Sequence, residues 1–271
     1  MHYAIVEGHR RAASPGSRGE CPHCGAPVLS KCGTRKVWHW SHLGKRHCDS
    51  WWEPETEWHR GWKAHFPVDW HEVAHRAPDG ERHIADLKTP HGLVIEFQHS
   101  AIADDERTTR TDFYGNMVWV VDGMRRKRDR PRFEKETWDW RKSPGALQLL
   151  RDPDWALPYE WLDCRVPVFF DFEAKDTVAP DDPYYISPNL WCLLPKFSDE
   201  SGLRSRLMLK IAVPDFISNA HMGHPVPDWT GILSRYEQQR KDDEAARIKG
   251  NIEYQKRRRQ HLWARRNGLK W

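Results

Sequence analysis

Hydrophobic and polar positions follow regular patterns between residues 53 and 122, and these patterns predict a compact run of elements. Apolar residues recur at helical spacing after Pro54, whereas later segments alternate between apolar and polar residues as strands do. The patterns predict, in order, a helix over 55–66, strands over 70–77, 82–88 and 93–98, a helix over 104–114 and a strand over 117–121. The strand, helix, strand crossover at the end predicts that its two strands are parallel. We therefore expect a mixed α/β sheet.

The composition narrows the class of protein. Hydrophobic residues make up 38% of the 271 residues, charged residues make up 30%, and the mean hydropathy is -0.86. No apolar run approaches the roughly 18 residues that a membrane span needs, which argues against a membrane protein. Sixteen Trp, seven Tyr and nine Phe argue against disorder. Residues 1–11 lack the apolar core of a secretory signal, so we expect a cytoplasmic protein with reduced cysteines.

Charge is concentrated towards the end of the chain. The net charge is only +4, yet residues 235–271 contain twelve Lys or Arg against five Asp or Glu. This segment predicts a basic helical tail over 231–271, which could contact DNA phosphates or dock on a partner protein. Its candidate DNA-contacting residues are Lys256, Arg257, Arg258 and Arg259, with Trp263 and Trp271 as surfaces for base stacking. A second basic run, 125–132, follows a predicted strand and is either a solvated face or a phosphate contact.

Four of the six cysteines lie between positions 21 and 48, and this clustering predicts a zinc site. Cys21 and Cys24 form a C-x2-C turn, which supplies two of the four ligands of a structural zinc ion. The preferred second pair is His42 and Cys48. The alternatives for that pair are His39, His47 and Cys32. This segment has few aliphatic residues for a core of its own, so a bound metal ion would supply the free energy that it needs to fold.

Three polar residues interrupt the apolar pattern of the predicted sheet. Asp86 lies on the second strand, and Glu96 and Gln98 share one face of the third. Two carboxylates that meet on an apolar sheet repel each other unless a divalent cation lies between them, so the arrangement favours a Mg²⁺ or Mn²⁺ site for phosphodiester hydrolysis. Alternatively, Glu96 lies at an exposed strand end and Asp86 pairs with Arg82 or Arg110.

The order of these features resembles the CoiA-like competence proteins, over about residues 20–122. The matching motifs are Cys21–Cys24, His39–His42, Glu57 with His59, Asp86, and the strand Ile95–Ser100, which reads I-E-F-Q-H-S. The resemblance implies a PD-(D/E)xK nuclease with a restriction-endonuclease-like fold, in which a mixed sheet is flanked by helices. It also implies that Asp86 and Glu96 bind the catalytic metal ion and that Glu57 completes the site.

The chain departs from the general nuclease pattern at Gln98, where a lysine is usual. A glutamine carries no positive charge, so another group must stabilise the charge of the reaction, and the candidates are Lys63, His83, His99 or a second metal ion. The resemblance further suggests that Arg110 and Tyr114, which are four residues apart on a helix, hold the DNA strand; otherwise that helix is simply amphipathic. His59 either binds a phosphate or supports the site from behind.

These features predict four regions: a zinc-binding segment over 1–52, a nuclease core over 53–135, an extension or small second domain over 136–230, and the tail over 231–271. In the third region the sequence predicts strands near 167–172, 191–194 and 207–213. The leading hypothesis is a metal-dependent DNA nuclease, and the alternative is a non-catalytic protein that binds DNA in recombination or phage defence. We also expect seven tryptophans to join the zinc module to the sheet: Trp38, Trp40, Trp51, Trp52, Trp58, Trp62 and Trp70.

Overall fold

The computed structural model describes residues 1–44, 48–51, 53–77, 80–138, 140, 147–172, 189–196, 205–226 and 228–267. The chain divides into two units, Met1–Pro227 and Asp228–Trp271. The first unit contains two β-sheets and five helices among the described residues, and the second is built on one long helix. The mixed α/β class and the C-terminal helix that the sequence predicted are confirmed.

The N-terminal sheet contains five short antiparallel strands. They are β1 (Tyr3–Val6), β2 (His9–Ala12), β3 (Arg18–Glu20), β4 (Pro27–Lys31) and β5 (His39–His42), in the spatial order β2-β1-β3-β4-β5. Their small core contains Ala4, Cys21, Val28 and Trp40, all at most 2% exposed. So few apolar side chains make a weak core, which is typical of modules that a bound metal stabilises. The sequence patterns predicted none of these five strands.

The second sheet has eight strands. They are β6 (His71–Arg76), β7 (Arg82–Lys88), β8 (Val94–Gln98), β9 (Met117–Asp122), β10 (Leu147–Leu150), β11 (Val168–Asp171), β12 (Asn189–Leu193) and β13 (Arg206–Ala212). The spatial order is β10-β13-β12-β11-β9-β8-β7-β6. Strands β8, β9 and β11 are parallel, and the remaining pairs are antiparallel. The sheet is therefore mixed, as predicted.

Six helices accompany these sheets in the described residues. They are α1 (Glu57–Lys63), α2 (Asp104–Tyr114), α3 (Asp129–Glu136), α4 (Pro153–Ala156), α5 (Val213–His221) and α6 (Trp229–Arg266). Helix α2 joins β8 to β9 and has the predicted bounds, and β7 does too. Helix α1 is shorter than predicted, because Thr56 caps its N-terminus through a hydrogen bond from the His59 backbone N–H. This cap leaves Glu55 just before the helix.

The region 136–230 extends the large sheet. Its strands β11, β12 and β13 correspond to the three predicted strands, and β11 pairs in parallel with β9. An unbroken core runs through the two parts, with Trp119 of β9 and Phe170 of β11 in one buried cluster. The described strands of this region thus extend one sheet and do not form a sheet of their own.

The seven tryptophans do not form the single seam that we expected. Trp40 is buried within the core of the N-terminal sheet, and Trp38 is 45% exposed. Trp58 and Trp62 instead face the large sheet, where both indole N–H groups donate to Asp171 Oδ2 at 2.9 and 3.0 Å. Trp51, at the end of the N-terminal segment, does pack against the core of the large sheet and stacks on His83 of β7. Trp70 packs against His221, and Trp52 lies outside the described residues. Polar contacts join the module to the sheet: Glu72 of β6 accepts the backbone N–H groups of His2 and Tyr3.

Helix α6 is a single helix of 38 residues. Its four predicted DNA-contacting residues, Lys256, Arg257, Arg258 and Arg259, are all exposed, and Trp263 is 63% exposed. Trp271 lies outside the described residues. None of the helices in the described part of the chain is both long enough and apolar enough to span a membrane.

Candidate functional site

The candidate site lies where two neighbouring strands separate. Strands β7 and β8 pair only at Leu87 with Ile95 and at Lys88 with Val94, and beyond these pairs the ladder between them stops. Backbone N–H groups that lose ladder partners must find others when they are buried. Asp86 N–H donates to Glu96 Oε1 at 3.0 Å, and Phe97 N–H donates to Asp86 Oδ2 at 3.1 Å. The two carboxylates therefore occupy the gap between the strands.

A third carboxylate caps the same gap nearer the start of β7. Asp49 is 7% exposed, and its Oδ2 accepts the Ile84 N–H at 2.7 Å. Its Oδ1 contacts His83 Nδ1 at 2.8 Å. Asp49 directly follows Cys48, so the end of the N-terminal module is attached to the open edge of β7.

Asp86 and Glu96 differ in their protonation. Burial and the neighbouring Asp86 raise the pKa of Glu96 from 4.5 to about 8, against the opposing effect of Arg110. Burial would also raise the pKa of Asp86, but the charge of Lys63 and its hydrogen bond outweigh this effect and hold that pKa below its usual range. At neutral pH the pair thus carries about one negative charge.

Lys63 is the cation in contact with Asp86. Its Nζ lies 2.8 Å from Asp86 Oδ1 and 3.3 Å from Glu55 Oε1, and the side chain is 5% exposed. Burial opposes its charge, yet the two carboxylates raise its pKa above the usual range, so it stays protonated. Glu55 is buried as well, and the cations Lys63 and Arg60 help to lower its pKa to about 2. Glu55, Lys63 and Asp86 form a continuous charged chain.

Arg110 points inward, towards Glu96. Its Nη1 lies 3.4 Å from Glu96 Oε2, and its Nη2 donates to the Trp51 carbonyl oxygen at 2.7 Å. The guanidinium also pairs with Glu106 and lies 5.5 Å from the centre of the Trp51 ring. Tyr114 is 5% exposed, and its hydroxyl has no hydrogen-bond partner in the described residues. Both side chains are buried, but Arg110 lies beside the carboxylate pair, so its contact with a DNA strand stays a prediction.

Gln98 belongs to a separate polar network beside the pair. It is 2% exposed, and its Nε2 donates to Glu53 Oε1 and, at 3.2 Å, to the Ser100 carbonyl oxygen. Ser100 Oγ donates to the second oxygen of Glu53. The amide of Gln98 thus holds the Glu53 carboxylate next to the site. A lysine at this position would add a positive charge beside that carboxylate.

His59 supports the site from behind. Its Nε2 donates to the Phe97 carbonyl oxygen at 2.9 Å, and its Nδ1 accepts from Thr56 Oγ1 at 2.8 Å. Burial lowers its pKa, so the ring is neutral. Because both ring nitrogens are used and the residue is 3% exposed, this geometry favours support of β8 over a phosphate contact.

The expectation for Glu57 is wrong in this structure. Glu57 is exposed in the first turn of α1 and lines a different surface depression. Glu53 and Glu55 take the place expected of it. The sequence could not separate these acids, because only the Thr56 cap fixes where the helix begins.

These acids share one cavity of about 130 Å³. The acidic residues on its wall are Asp49, Glu53, Glu55, Glu72, Asp86 and Glu96. Lys63, Arg110 and His59 also line it, together with His42 and Cys48 of the N-terminal module. Oxygen donors at this density are the ligands that Mg²⁺ and Mn²⁺ prefer. The other candidate cations contact different acids: His83 contacts Asp49, and His99 contacts Asp122 at 2.7 Å.

The N-terminal module brings together the four preferred zinc ligands. The ligand atoms of Cys21, Cys24, His42 and Cys48 all lie within 4.8 Å of one another. Cys21 Sγ is 3.7 Å from Cys48 Sγ, and Cys24 Sγ is 3.3 Å from His42 Nε2. Sulfur atoms on a tetrahedral zinc ion with bonds of about 2.3 Å are roughly 3.8 Å apart, so the cluster fits zinc. The four residues could hold such a metal.

The alternative zinc ligands lie outside this cluster. His39 Nδ1 hydrogen-bonds the Val37 carbonyl oxygen at 2.9 Å, and Cys32 packs against the small core. His47 lies outside the described residues. Burial raises the pKa of the Cys48 thiol to about 12, and the neighbouring Cys21 adds to this rise. A bound cation would favour the thiolate form instead.

Comparison with known proteins identifies one family. Residues 17–50 match the family model described as "Competence protein CoiA, N-terminal domain". No curated protein and no solved structure matches the chain. The matched segment contains β3, β4, β5 and all four residues of the metal cluster. The N-terminal module of this chain is therefore similar to the N-terminal domain of CoiA.

Proposed function

We propose that this protein is a divalent-metal-dependent DNA nuclease with a PD-(D/E)xK-like core. The observation that carries the proposal is the meeting of Asp86 and Glu96 in the gap between β7 and β8, with Lys63 in contact with Asp86. The two acids come from neighbouring strands, face one cavity and lie beside a buried cation. This combination suits the hydrolysis of a phosphodiester.

The residues in the cavity fit a hard cation. Asp86 and Glu96 would hold Mg²⁺ or Mn²⁺, and the raised pKa of Glu96 reflects a repulsion that a divalent cation relieves. Such an ion, when bound, polarises the phosphodiester and lowers the pKa of an attacking water. The described structure supplies no dedicated role for Glu57 in this chemistry.

Lys63 is our candidate for the charge that Gln98 cannot supply. Among Lys63, His83 and His99, it alone contacts a carboxylate of the Asp86 and Glu96 pair in the described structure. Its ammonium remains protonated, so it acts as a fixed cation towards the developing phosphate charge and not as a base. Glu55 holds it in position from the opposite side.

DNA is the proposed substrate. The match of residues 17–50 to a competence protein supports it, because competence is the uptake of DNA. In this proposal a zinc ion held by Cys21, Cys24, His42 and Cys48 stabilises the module that forms one wall of the cavity. The exposed cations of α6 add phosphate contacts.

Cleavage assays on single-stranded, duplex and branched DNA with Mg²⁺ or Mn²⁺ test this function. We expect Asp86→Asn and Glu96→Gln each to reduce cleavage by at least about 100-fold, since a lost metal ligand removes most of the ion's contribution. Glu57→Gln is the matched control, because it removes an exposed acid nearby and leaves the cavity intact. Cleavage that survives in both cavity variants, or that falls equally in the control, would contradict the proposal.

A second candidate is a non-catalytic DNA-binding protein that keeps the fold, in recombination or phage defence. Gln98 favours it, because the lysine usual at this position is missing and its amide is committed to Glu53. This candidate predicts salt-dependent DNA binding by the intact protein without cleavage in either metal. The same cleavage assay, run beside a binding assay, separates the two.

A further inference from the structure

A short basic segment lies at the end of β9. Six of the eight residues from 125 to 132 are cations, and Asp129 is the one acid among them. The cations are Arg125, Arg126, Lys127, Arg128, Arg130 and Arg132. We call residues 125–132 the basic turn. It connects β9 to α3 and includes the first residues of that helix.

Within the described residues, two of these cations form ion pairs with glutamates. Arg126 pairs with Glu160, and Arg130 pairs with Glu134 at 2.8 Å. The structure gives Arg125, Lys127, Arg128 and Arg132 no ion-pair partner among the described residues; the last three are exposed and Arg125 is half-buried. The basic turn thus presents several unneutralised positive charges in a short length of chain.

Both ends of the basic turn are fixed. Just before it, Gly123 N–H donates to the Asp171 carbonyl oxygen at 2.9 Å, and Met124 N–H donates to Asp122 Oδ1 at 2.9 Å. Just after it, Phe133 is 2% exposed and stacks on Phe172 with ring centres 4.5 Å apart. The ion pair to Glu160 holds its middle. A cationic segment held in this way loses little conformational entropy when it binds a ligand, unlike a mobile arm.

The basic turn also begins close to the candidate site. Asp122, the last residue of β9, contacts His99 Nδ1 at 2.7 Å. His99 lies between Gln98 and Ser100, which together hold Glu53 on the wall of the cavity. Strands β8 and β9 are parallel, so their carboxyl ends lie side by side at this edge of the sheet.

We propose that the basic turn binds the phosphate backbone of the DNA strand that enters the cavity of Asp86 and Glu96. The proposal rests on the proposed function for the choice of DNA as partner. Several fixed cations in a short segment are best matched by a ligand with regularly spaced phosphates. Each contact between a cation and a phosphate releases condensed counterions. Lys127 and Arg128, exposed and adjacent, are the central contacts.

Fluorescence anisotropy with labelled single-stranded and duplex DNA tests the proposal, with no Mg²⁺ or Mn²⁺ added and between 50 and 200 mM NaCl. We expect the double variant Lys127→Ala with Arg128→Ala to weaken binding at 100 mM NaCl by about 3- to 10-fold and to reduce the salt slope by about 1.4–1.8. Single-stranded DNA corresponds to the lower end of this slope range. The matched control is Arg35→Ala with Lys36→Ala, which removes two exposed cations from the N-terminal module and should leave the slope unchanged.

The outcomes separate this proposal from the nuclease function. A protein that binds DNA with the expected loss of slope, but cleaves nothing, supports the basic turn and refutes the nuclease. A protein that cleaves DNA while the double variant keeps the full affinity and slope supports the nuclease and overturns the basic turn as a phosphate contact. Absence of DNA binding by the intact protein, or an equal loss in the control variant, also overturns it.

Discussion

Replacing Glu96 with glutamine tests the electrostatics of the candidate site directly. The Glu96 side chain is 5% exposed, and burial together with Asp86 raises its pKa from 4.5 to about 8. A carboxyl group with a higher pKa in the folded protein binds its proton more tightly there than in the unfolded chain. Its contribution to stability is therefore complete below about pH 4.5 and is lost as the pH rises through about 8.

The magnitude follows from the same values. Each pKa unit corresponds to about 1.4 kcal/mol, so the interval from 4.5 to about 8 sets an upper limit of about 5 kcal/mol on the cost of ionising Glu96. Glutamine does not ionise, and it keeps an oxygen to accept the Asp86 N–H. The charged contact with Arg110 is already included in this interval, because Arg110 lowers the pKa of Glu96 against the effects of burial and Asp86. We expect Glu96→Gln to raise the free energy of unfolding by up to about 5 kcal/mol at pH 9, but by only about 1.4 kcal/mol at pH 5.5, which is one unit above the ordinary pKa of 4.5.

The assay is urea unfolding of both proteins between pH 5.5 and 9, without added Mg²⁺ or Mn²⁺, followed by tryptophan fluorescence. The difference between the proteins is the informative quantity, because buried histidines titrate in the wild-type protein too. Burial lowers the pKa of His59, for example, so its contribution to stability grows as the pH rises towards 6.5 and cancels in the difference. Added Mg²⁺ should stabilise the wild-type protein at pH 9 more than the variant. A difference that stays constant across this pH range would refute the reasoning.

Three further predictions test the cation, the metal cluster and the packing. Lys63→Met should abolish cleavage and lower the free energy of unfolding by about 3–5 kcal/mol in urea titrations, because two buried carboxylates lose their shared partner; unchanged cleavage would exclude Lys63 from the reaction. Cys24→Ser should lower the zinc content measured by elemental analysis, whereas Cys32→Ser, outside the cluster, should keep it; equal zinc in the two variants would contradict the ligand assignment. Gly123→Ala should destabilise the protein by about 1–3 kcal/mol, since an added Cβ would overlap the Phe172 ring, and an unchanged urea midpoint would contradict this packing.

Much of the large sheet could be predicted from the sequence because its signals are local. The alternation in β7, the apolar run in β9 and the Gly115 that ends α2 each specify an element within a few residues. The parallel pairing of β8 with β9 then follows from the helix between them. The zinc ligands were predictable for a related reason, since C-x2-C spacing places two thiolates at one centre.

The long-range contacts of the site could not be predicted in this way. Glu53 and Glu55 precede a helix whose start depends on one capping hydrogen bond, so spacing could not distinguish them from Glu57. Arg110 was correctly placed on α2, but helical spacing does not show whether such a side chain meets solvent or a buried carboxylate. The tryptophan seam was only partly predictable for the same reason: periodicity shows that Trp58 and Trp62 share a face, and only the fold shows that the face meets Asp171.

The separation of β7 from β8 explains why carboxylates gather at this site. A split sheet exposes backbone N–H groups, and each one left without a partner in a buried place would cost about 1–3 kcal/mol. Here carboxylates supply the missing acceptors: Asp49 for Ile84, Glu96 for Asp86, and Asp86 for Phe97. The acids that we assign to metal binding thus also stabilise the gap that gives a metal ion access to them. Because the residue before Asp49 is the zinc-cluster ligand Cys48, we expect an intact metal cluster to be needed for the gap to keep its shape.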